Sequence, residues 1–298
     1  MKIDERQLSL KFRAKTFYFA SLFFPSSLKT DIENLYNFCR FIDDLGDNPE
    51  FKKKPVIKIF KKIKKDIRLK KSRNIIINNF IKIVKKFNID TKYPLLLIEG
   101  VENDLKKVNL SNKDELIDYS FKVAGTVGYM LCKIMGENSE KQIFKGIQLG
   151  IAMQLTNISR DIKEDLERQR IYLPKTMRTY KGNNYSLILS NKSLKKSFSN
   201  DLKKLLELAD KMYLNAWEGI NNLPMRFRVP IGLAASLYQQ IGKKIEKCKF
   251  DIWENRIHVT FLEKIFISIL FLKEIIFGKK IIIDKNVELS THKVLKRI

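Results

Sequence analysis

Apolar residues recur at three- and four-residue intervals along most of this chain, and little interrupts them. That period buries one face of an α-helix, which turns once every 3.6 residues. Only 12 Gly and 7 Pro punctuate 298 residues, too few turn formers for a many-stranded sandwich. The spacing predicts helical structure over 4–24, 31–47, 92–108, 138–168, 196–221, 229–248 and 258–277, and two lysine-rich surface helices within 52–88. Another helix follows the capping sequence Ser111–Glu115 and runs through Val123–Gly128. Pro174 and Gly182 mark an irregular loop over 172–193. No linker or repeat divides the pattern. The expectation is one all-α domain over 1–277 and a basic tail over 278–298.

Two of these helices carry acids in an unusual place. Phe38–Asp47 and Gln154–Asp165 each contain a DxxxD pair, Asp43/Asp47 and Asp161/Asp165. With Gln154 set at zero on a helical wheel, Asn157, Asp161 and Asp165 fall at roughly −60°, −20° and +20°. Tyr36, Arg40, Asp43 and Asp47 form a similarly narrow band. Carboxylates stacked on an apolar helix repel one another unless a cation compensates. Hard Mg²⁺ suits them, since it takes one or two carboxylates and completes its shell with water and phosphate oxygens. Mn²⁺ is the alternative ion. Arg40 and Arg160 would add contacts to the same phosphates. An isolated DxxxD pair is also common on a solvated helix face. Two of them, each aligned with an amide or guanidinium, point instead to a two-sided metal–diphosphate site.

The chain is otherwise basic, at formal net charge +25. No nucleic-acid recognition motif accompanies the lysines, so no nucleic-acid partner is expected. Scattered lysine beside abundant isoleucine and asparagine reads mainly as composition bias, and part of the charge suits anionic lipid. The three cysteines, Cys39, Cys132 and Cys248, have neither finger spacing nor an even count, which suits a reducing compartment. The charged start Met1–Arg6 has no signal-peptide pattern. The apolar run Ile265–Leu272 falls well short of the roughly 20 residues a membrane span needs. These features predict a cytoplasmic protein, peripheral at most on the inner face of the membrane. They leave its oligomeric state open.

Other chemistries fail on inventory. The two histidines, His258 and His292, lie far in sequence from the acid helices, and no nucleophile motif supports a Ser-His-Asp relay. Zinc lacks His and Cys ligands, and neither GxxxxGK[ST] nor GxGxxG occurs.

The segments Lys15–Pro25, Tyr36–Asp44, Tyr119 with Val123–Gly128, and Gln154–Asp165 followed by Arg170–Pro174 resemble the squalene/phytoene synthase family, in the family's order. The resemblance covers residues 9–267 and implies an isoprenoid synthase fold, with helices around a central cavity. It implies head-to-head condensation of two prenyl diphosphates by way of a cyclopropylcarbinyl diphosphate. By the same resemblance Asp43, Asp47, Asp161 and Asp165, with Asn157, match metal-binding positions. Lys15, Thr16, Phe17, Arg40, Val123, Gly128, Gln154, Asn157, Arg160, Tyr238 and Arg256 match the substrate-binding set, and Tyr119 is a cavity-lining candidate for catalysis. Gly125 and Gly128 read equally well as close-packing positions. The stretch Phe250–Val259 is most like bacterial phytoene synthases, which favours phytoene from geranylgeranyl diphosphate. Squalene or presqualene diphosphate from farnesyl diphosphate is the alternative, and NADPH enters only if the product is squalene. A non-catalytic assembly or membrane-associated homologue is the reading of another class, and such homologues tend to lose the acids kept here.

Overall fold

A computed structural model of the chain describes residues 15–47, 53–106 and 108–277, apart from the side chains of Lys15, Phe17, Glu274, Ile276 and Phe277. The helices expected over 4–14 and the basic tail over 278–298 lie outside the described residues.

The described chain is helical, with an isolated parallel bridge between Asn109 and Ile171. The helices are α1 (Lys15–Ser21), α2 (Ser26–Asp47), α3 (Lys53–Arg68), α4 (Ile75–Lys86), α5 (Lys92–Asn103), α6 (Lys113–Ser120), α7 (Thr126–Ile134) and α8 (Glu140–Arg160). They continue as α9 (Ile162–Glu167), α10 (Tyr185–Ser190), α11 (Lys192–Asn221), α12 (Met225–Lys247) and α13 (Phe261–Phe277). Asn74, Asn112, Ser139, Asn184 and Asn191 each accept a backbone N–H of the first turn they precede. These caps satisfy donors that would otherwise be orphaned.

Helix α8 is the hub. It packs along α11 most extensively and also against α7 and α12. Its approach to α7 needs glycine on both sides. A Cβ on Gly128 would sit 2.3 Å from the Gly146 carbonyl oxygen, and one on Gly146 would meet the Cys132 sulfur at 2.4 Å. On the other flank α2 packs on α4 through the stacked rings of Phe38 and Phe80, both fully buried. The lysine-rich helices α3 and α4 are less superficial than expected, because each turns an isoleucine and phenylalanine stripe inward, Phe60 and Ile67 on one and Ile77 and Phe80 on the other. Burying each such side chain contributes about 1.5–3 kcal/mol.

Three local departures from plain helix shape the site. Residues Phe121–Gly125 form a π-helical turn between α6 and α7. The helix expected over 138–168 bends at Asp161 (φ −101°, ψ 12°), though Asp161 N–H still reaches the Asn157 carbonyl and Asp165 N–H the Asp161 carbonyl, each at 2.9 Å. Gln169 then adopts the left-handed conformation at φ 59°, with Arg170 N–H on the Asp165 carbonyl and Gln169 N–H on the Leu166 carbonyl. That Schellman-type stop reverses the chain. The loop expected over 172–193 is partly ordered as a 3₁₀ turn, Lys175–Met177, and the helix α10. Lys175 N–H donates to the Leu110 carbonyl and Thr176 N–H to that of Ser111, which pins the returning strand beside 109–111.

Candidate active site

Three cavities meet at two side chains, Asp43 of α2 and Asn157 of α8, which line all of them. The first is apolar and runs between α7, α8, α11 and α12, enclosing about 1220 Å³ with its mouth included. Val123, Gly128, Leu131, Met153, Ala216 and Ala234 line its length, and Gln142, Lys145 and Glu137 lie among its lining residues. Lys145 is buried there and ion-paired to Glu218 at 3.1 Å. The second is a polar cleft containing both DxxxD pairs, Tyr119, Gln154, Arg40, Arg160 and Arg256. The third opens sideways past Thr16, Tyr36, Tyr238, Arg256 and Lys264.

Every candidate side chain that is described therefore lines one connected space. The side chains of Lys15 and Phe17 lie outside the described residues, although the backbone of α1 carries both.

The charge arrangement differs from the expectation in one respect. The arginines anticipated for phosphate are engaged with acids. Arg40 donates to Asp44 at 2.5 Å. Arg160 forks onto the Asp161 carboxylate, Nε at 2.7 Å and Nη2 at 2.5 Å, and Arg256 Nε reaches the same group at 3.0 Å. Asp47 is held from across the cleft by Arg168 (3.0 Å) and Arg170 (2.6 Å). A guanidinium seeks the nearest carboxylate when no phosphate competes.

Asp43 and Asp165 have no such partner among the ion pairs of the described residues. Burial is the main cause that pushes the Asp43 carboxyl up to about 7; Arg40 pulls the other way, and Asp47, Asp44 and Asp104 add to the rise. Burial and then Asp161 push Asp165 well up, with Arg170 opposing. Burial would raise Asp161 too, but Arg160 and Arg256 outweigh it and hold that carboxyl below its usual value.

Sequence reasoning missed three contributors. Asp104, just past the end of α5, accepts the Tyr119 hydroxyl at 3.0 Å, and burial pushes its carboxyl up to about 7. Tyr172 stacks on Tyr119 at 4.7 Å between centroids. Arg170, besides holding Asp47, donates to the Gly46 carbonyl at 3.2 Å. Burial first and Asp104 second push both phenols far up, so each stays a donor at neutral pH. Arg170 and Tyr172 sit in the Arg170–Pro174 motif and could have been weighed from it. Asp104 has no local signal.

The residues fit a hard divalent cation. Asn157 Oδ1 and Asp104 Oδ1 are buried without a hydrogen-bond partner, and two carboxyls lack a compensating charge. Among the described residues no three His, Cys, Asp or Glu side chains converge into a ready-made metal cage. Mg²⁺ needs none where substrate phosphates and water complete its shell. Cys39 lines the cavity beside Asp43, but burial raises its thiol far above neutrality, which leaves no thiolate nucleophile.

An apolar tunnel opening onto an acid- and arginine-lined cleft suits an amphiphile with an apolar tail and an anionic head. Residues 10–263 match the profile named Squalene/phytoene synthase. The chain belongs to the squalene/phytoene synthase family. It is 30% identical over 249 residues to a phytoene synthase of Rhodobacter capsulatus, spanning 82% of this chain and 73% of that one. It is 27% identical over 263 residues to a 15-cis-phytoene synthase of Pantoea ananas, spanning 85% of each. The fold matches a dehydrosqualene synthase crystal structure at TM-score 0.78 and 23% identity, over 90% of this chain and 94% of the other. It matches a squalene synthase of Alicyclobacillus acidocaldarius at TM-score 0.70 and 20% identity, over 82% and 92%. The helices therefore form an isoprenoid synthase fold, and the chain is a prenyltransferase of the phytoene/squalene synthase type. The family performs head-to-head prenyl condensation and is known for Mg²⁺-dependent diphosphate chemistry.

Proposed function

We propose that this enzyme condenses two molecules of geranylgeranyl diphosphate head to head into phytoene, through a cyclopropylcarbinyl diphosphate. The observation that carries the reading is the junction at Asp43 and Asn157, where an apolar tunnel meets the acid cleft. The likeness to phytoene synthases supports the twenty-carbon substrate.

In this reading Asp43, Asp47, Asp161, Asp165 and Asn157 hold Mg²⁺. The ion supplies charge neutralisation for the departing diphosphate. Arg40, Arg160 and Arg256, each already within reach of a carboxylate in the cleft, turn from acid to phosphate as substrate enters. Gln154 positions Asn157, whose Nδ2 donates to its Oε1 at 3.3 Å. Tyr119, fixed by Asp104 and Tyr172, places its ring and hydroxyl at the cleft. The tunnel walls keep water from the allylic cation, and the enzyme needs no covalent nucleophile. Tyr238, which lines both the tunnel and the side opening, offers an aromatic face there. The enzyme works in the cytoplasm, against the inner face of the membrane that stores its product.

The test is product analysis. Purified protein with Mg²⁺ and geranylgeranyl diphosphate should release diphosphate and yield phytoene in the lipid extract. Squalene or presqualene diphosphate formed preferentially from farnesyl diphosphate would overturn the chain-length assignment. No product from either substrate would overturn the reaction.

A further inference from the structure

The apolar tunnel follows one face of α8. Asn157, Met153, Gly150, Gly146 and Gln142 line it at intervals of three or four residues, a stripe about 22 Å long. The stripe begins at the acid cleft and ends among polar groups. Lys145 of α8 lines that far end together with Gln142 and Glu137.

A lysine in this position needs a reason. Its side chain is 2% exposed, and an ammonium taken out of water is costly unless it is paired. Glu218 of α11 is the partner, 3.1 Å from Lys145 Nζ. The other oxygen of the same carboxylate takes the exposed Lys141 at 2.7 Å. Gly219, next to Glu218, gives the lysine stem its room. A Cβ there would lie 2.5 Å from Lys145 Cβ and 3.0 Å from its Cγ. Gly219 lines the tunnel too, as does Ala216 about one turn earlier. The four-carbon stem therefore crosses from α8 to α11 at the end of the tunnel, and a partly exposed acid fixes its head at the outer edge. An apolar side chain would fill the same volume without the cost of desolvation, but it would be free to turn aside. Lys145 is not free, because leaving Glu218 strands a buried charge.

We propose that Lys145 is the stop that sets the longest prenyl tail the tunnel holds. A tail entering from the cleft lies along the α8 stripe and meets the lysine stem about 18 Å beyond Asn157. Further carbons find no apolar wall there, only the partly exposed Gln142 and Glu137. The inference rests on the reading of the tunnel as the site of a prenyl tail, and names the residue that measures its length.

The experiment is calorimetric binding of the farnesyl, geranylgeranyl and geranylfarnesyl thiolo-diphosphates, which resist ionisation, to the Mg²⁺-loaded chain, beside turnover of the parent diphosphates. The wild type should gain at least about tenfold in affinity from the fifteen- to the twenty-carbon tail and nothing from the twenty- to the twenty-five-carbon tail. Lys145→Ala removes the stem and makes room for roughly one more prenyl unit. It should bind the twenty-five-carbon tail at least about tenfold more tightly than the twenty-carbon one. Glu218 keeps Lys141, so the variant strands no charge. Lys145→Val leaves a smaller void and should move the plateau in the same direction, whereas a merely structural defect would weaken all three tails alike. Lys141→Ala removes the outer cation and should keep the wild-type order. A wild type that gains from the longest tail overturns the proposal, as do lysine-145 variants that keep the wild-type plateau or a Lys141→Ala variant that loses it. Binding in the expected order without turnover would refute the reaction and leave the stop standing. Turnover with an unmoved plateau would refute the stop alone, and binding of none of the three would overturn both.

Discussion

Asp43→Asn should make the metal-free enzyme more stable while removing its activity. The side chain has no ion pair among the described residues, and Arg40 is already held by Asp44, so the substitution orphans no cation. Burial and three neighbouring acids raise the Asp43 carboxyl from an ordinary 3.8 to about 7. Between those values the folded chain keeps a proton that the unfolded chain has released. Stability of the metal-free protein therefore falls as pH rises through that window and levels off above it. About 1.4 kcal/mol per unit sets a ceiling near ~4 kcal/mol. Solvent in the open cleft screens the charge, and ~1–2 kcal/mol is the realistic size. For a chain of this length that is a rise in Tm of about 2–8 °C. The assay is thermal unfolding in chelator at pH 8 and again near pH 3, where the gain should nearly vanish because both states of the wild type are then mostly protonated. Mg²⁺ with inorganic diphosphate should stabilise the wild type and leave the variant nearly unmoved. A variant no more stable than wild type at pH 8, or equally stabilised at both pH values, would refute the reasoning.

Arg170→Ala removes the contacts to Asp47 and Gly46 that hold α2 to the chain beyond α9; kcat should fall about 10²–10³-fold, the scale of losing one preorganised electrostatic contact, in a steady-state diphosphate-release assay. Gly128→Ala forces a Cβ to within 2.3 Å of the Gly146 carbonyl, so α7 and α8 must part, costing about 1–3 kcal/mol in chemical denaturation. Ala216→Leu fills the tunnel wall, where Ala216 is 1% exposed; kcat/KM for geranylgeranyl diphosphate should drop about tenfold more than that for farnesyl diphosphate, measured by competition between the two.

The helices and the acid motifs were legible because both are periodic. Asp43 and Asp47, like Asp161 and Asp165, line the cleft as the wheel places them. The bend at Asp161 was not legible, because the hydrogen bonds to Asn157 and from Asp165 persist through it and the apolar pattern is unbroken. Asp104 was invisible for a different reason. It follows α5 with no pattern around it and becomes part of the site only when α5 packs on the π-helical turn that follows Tyr119. The carboxylates that the arginines pair with were not legible, because a wheel gives directions and no competition. Arg40 lies one turn from Asp44 and close to Asp43, and only three-dimensional packing selects Asp44.

Each DxxxD motif divides its labour. One acid is clamped, Asp47 by Arg168 and Arg170, Asp161 by Arg160 and Arg256. The other, Asp43 or Asp165, is half-buried without a paired cation among the described residues and carries a raised pKa. The clamps cross the cleft, because Arg168 and Arg170 follow the second motif and hold an acid of the first. These contacts tie the two walls together, while Asp43 and Asp165 hold their protons in the metal-free cleft. Divalent cations can displace those protons, and the cations make room for an anion that the bare acids would repel. The arginines then have a choice of partner, carboxylate or phosphate, at little cost in displacement. Geometry is in place before substrate arrives, and the electrostatics is completed only with it, which is the condition under which binding energy goes into the departing diphosphate and not into folding the site.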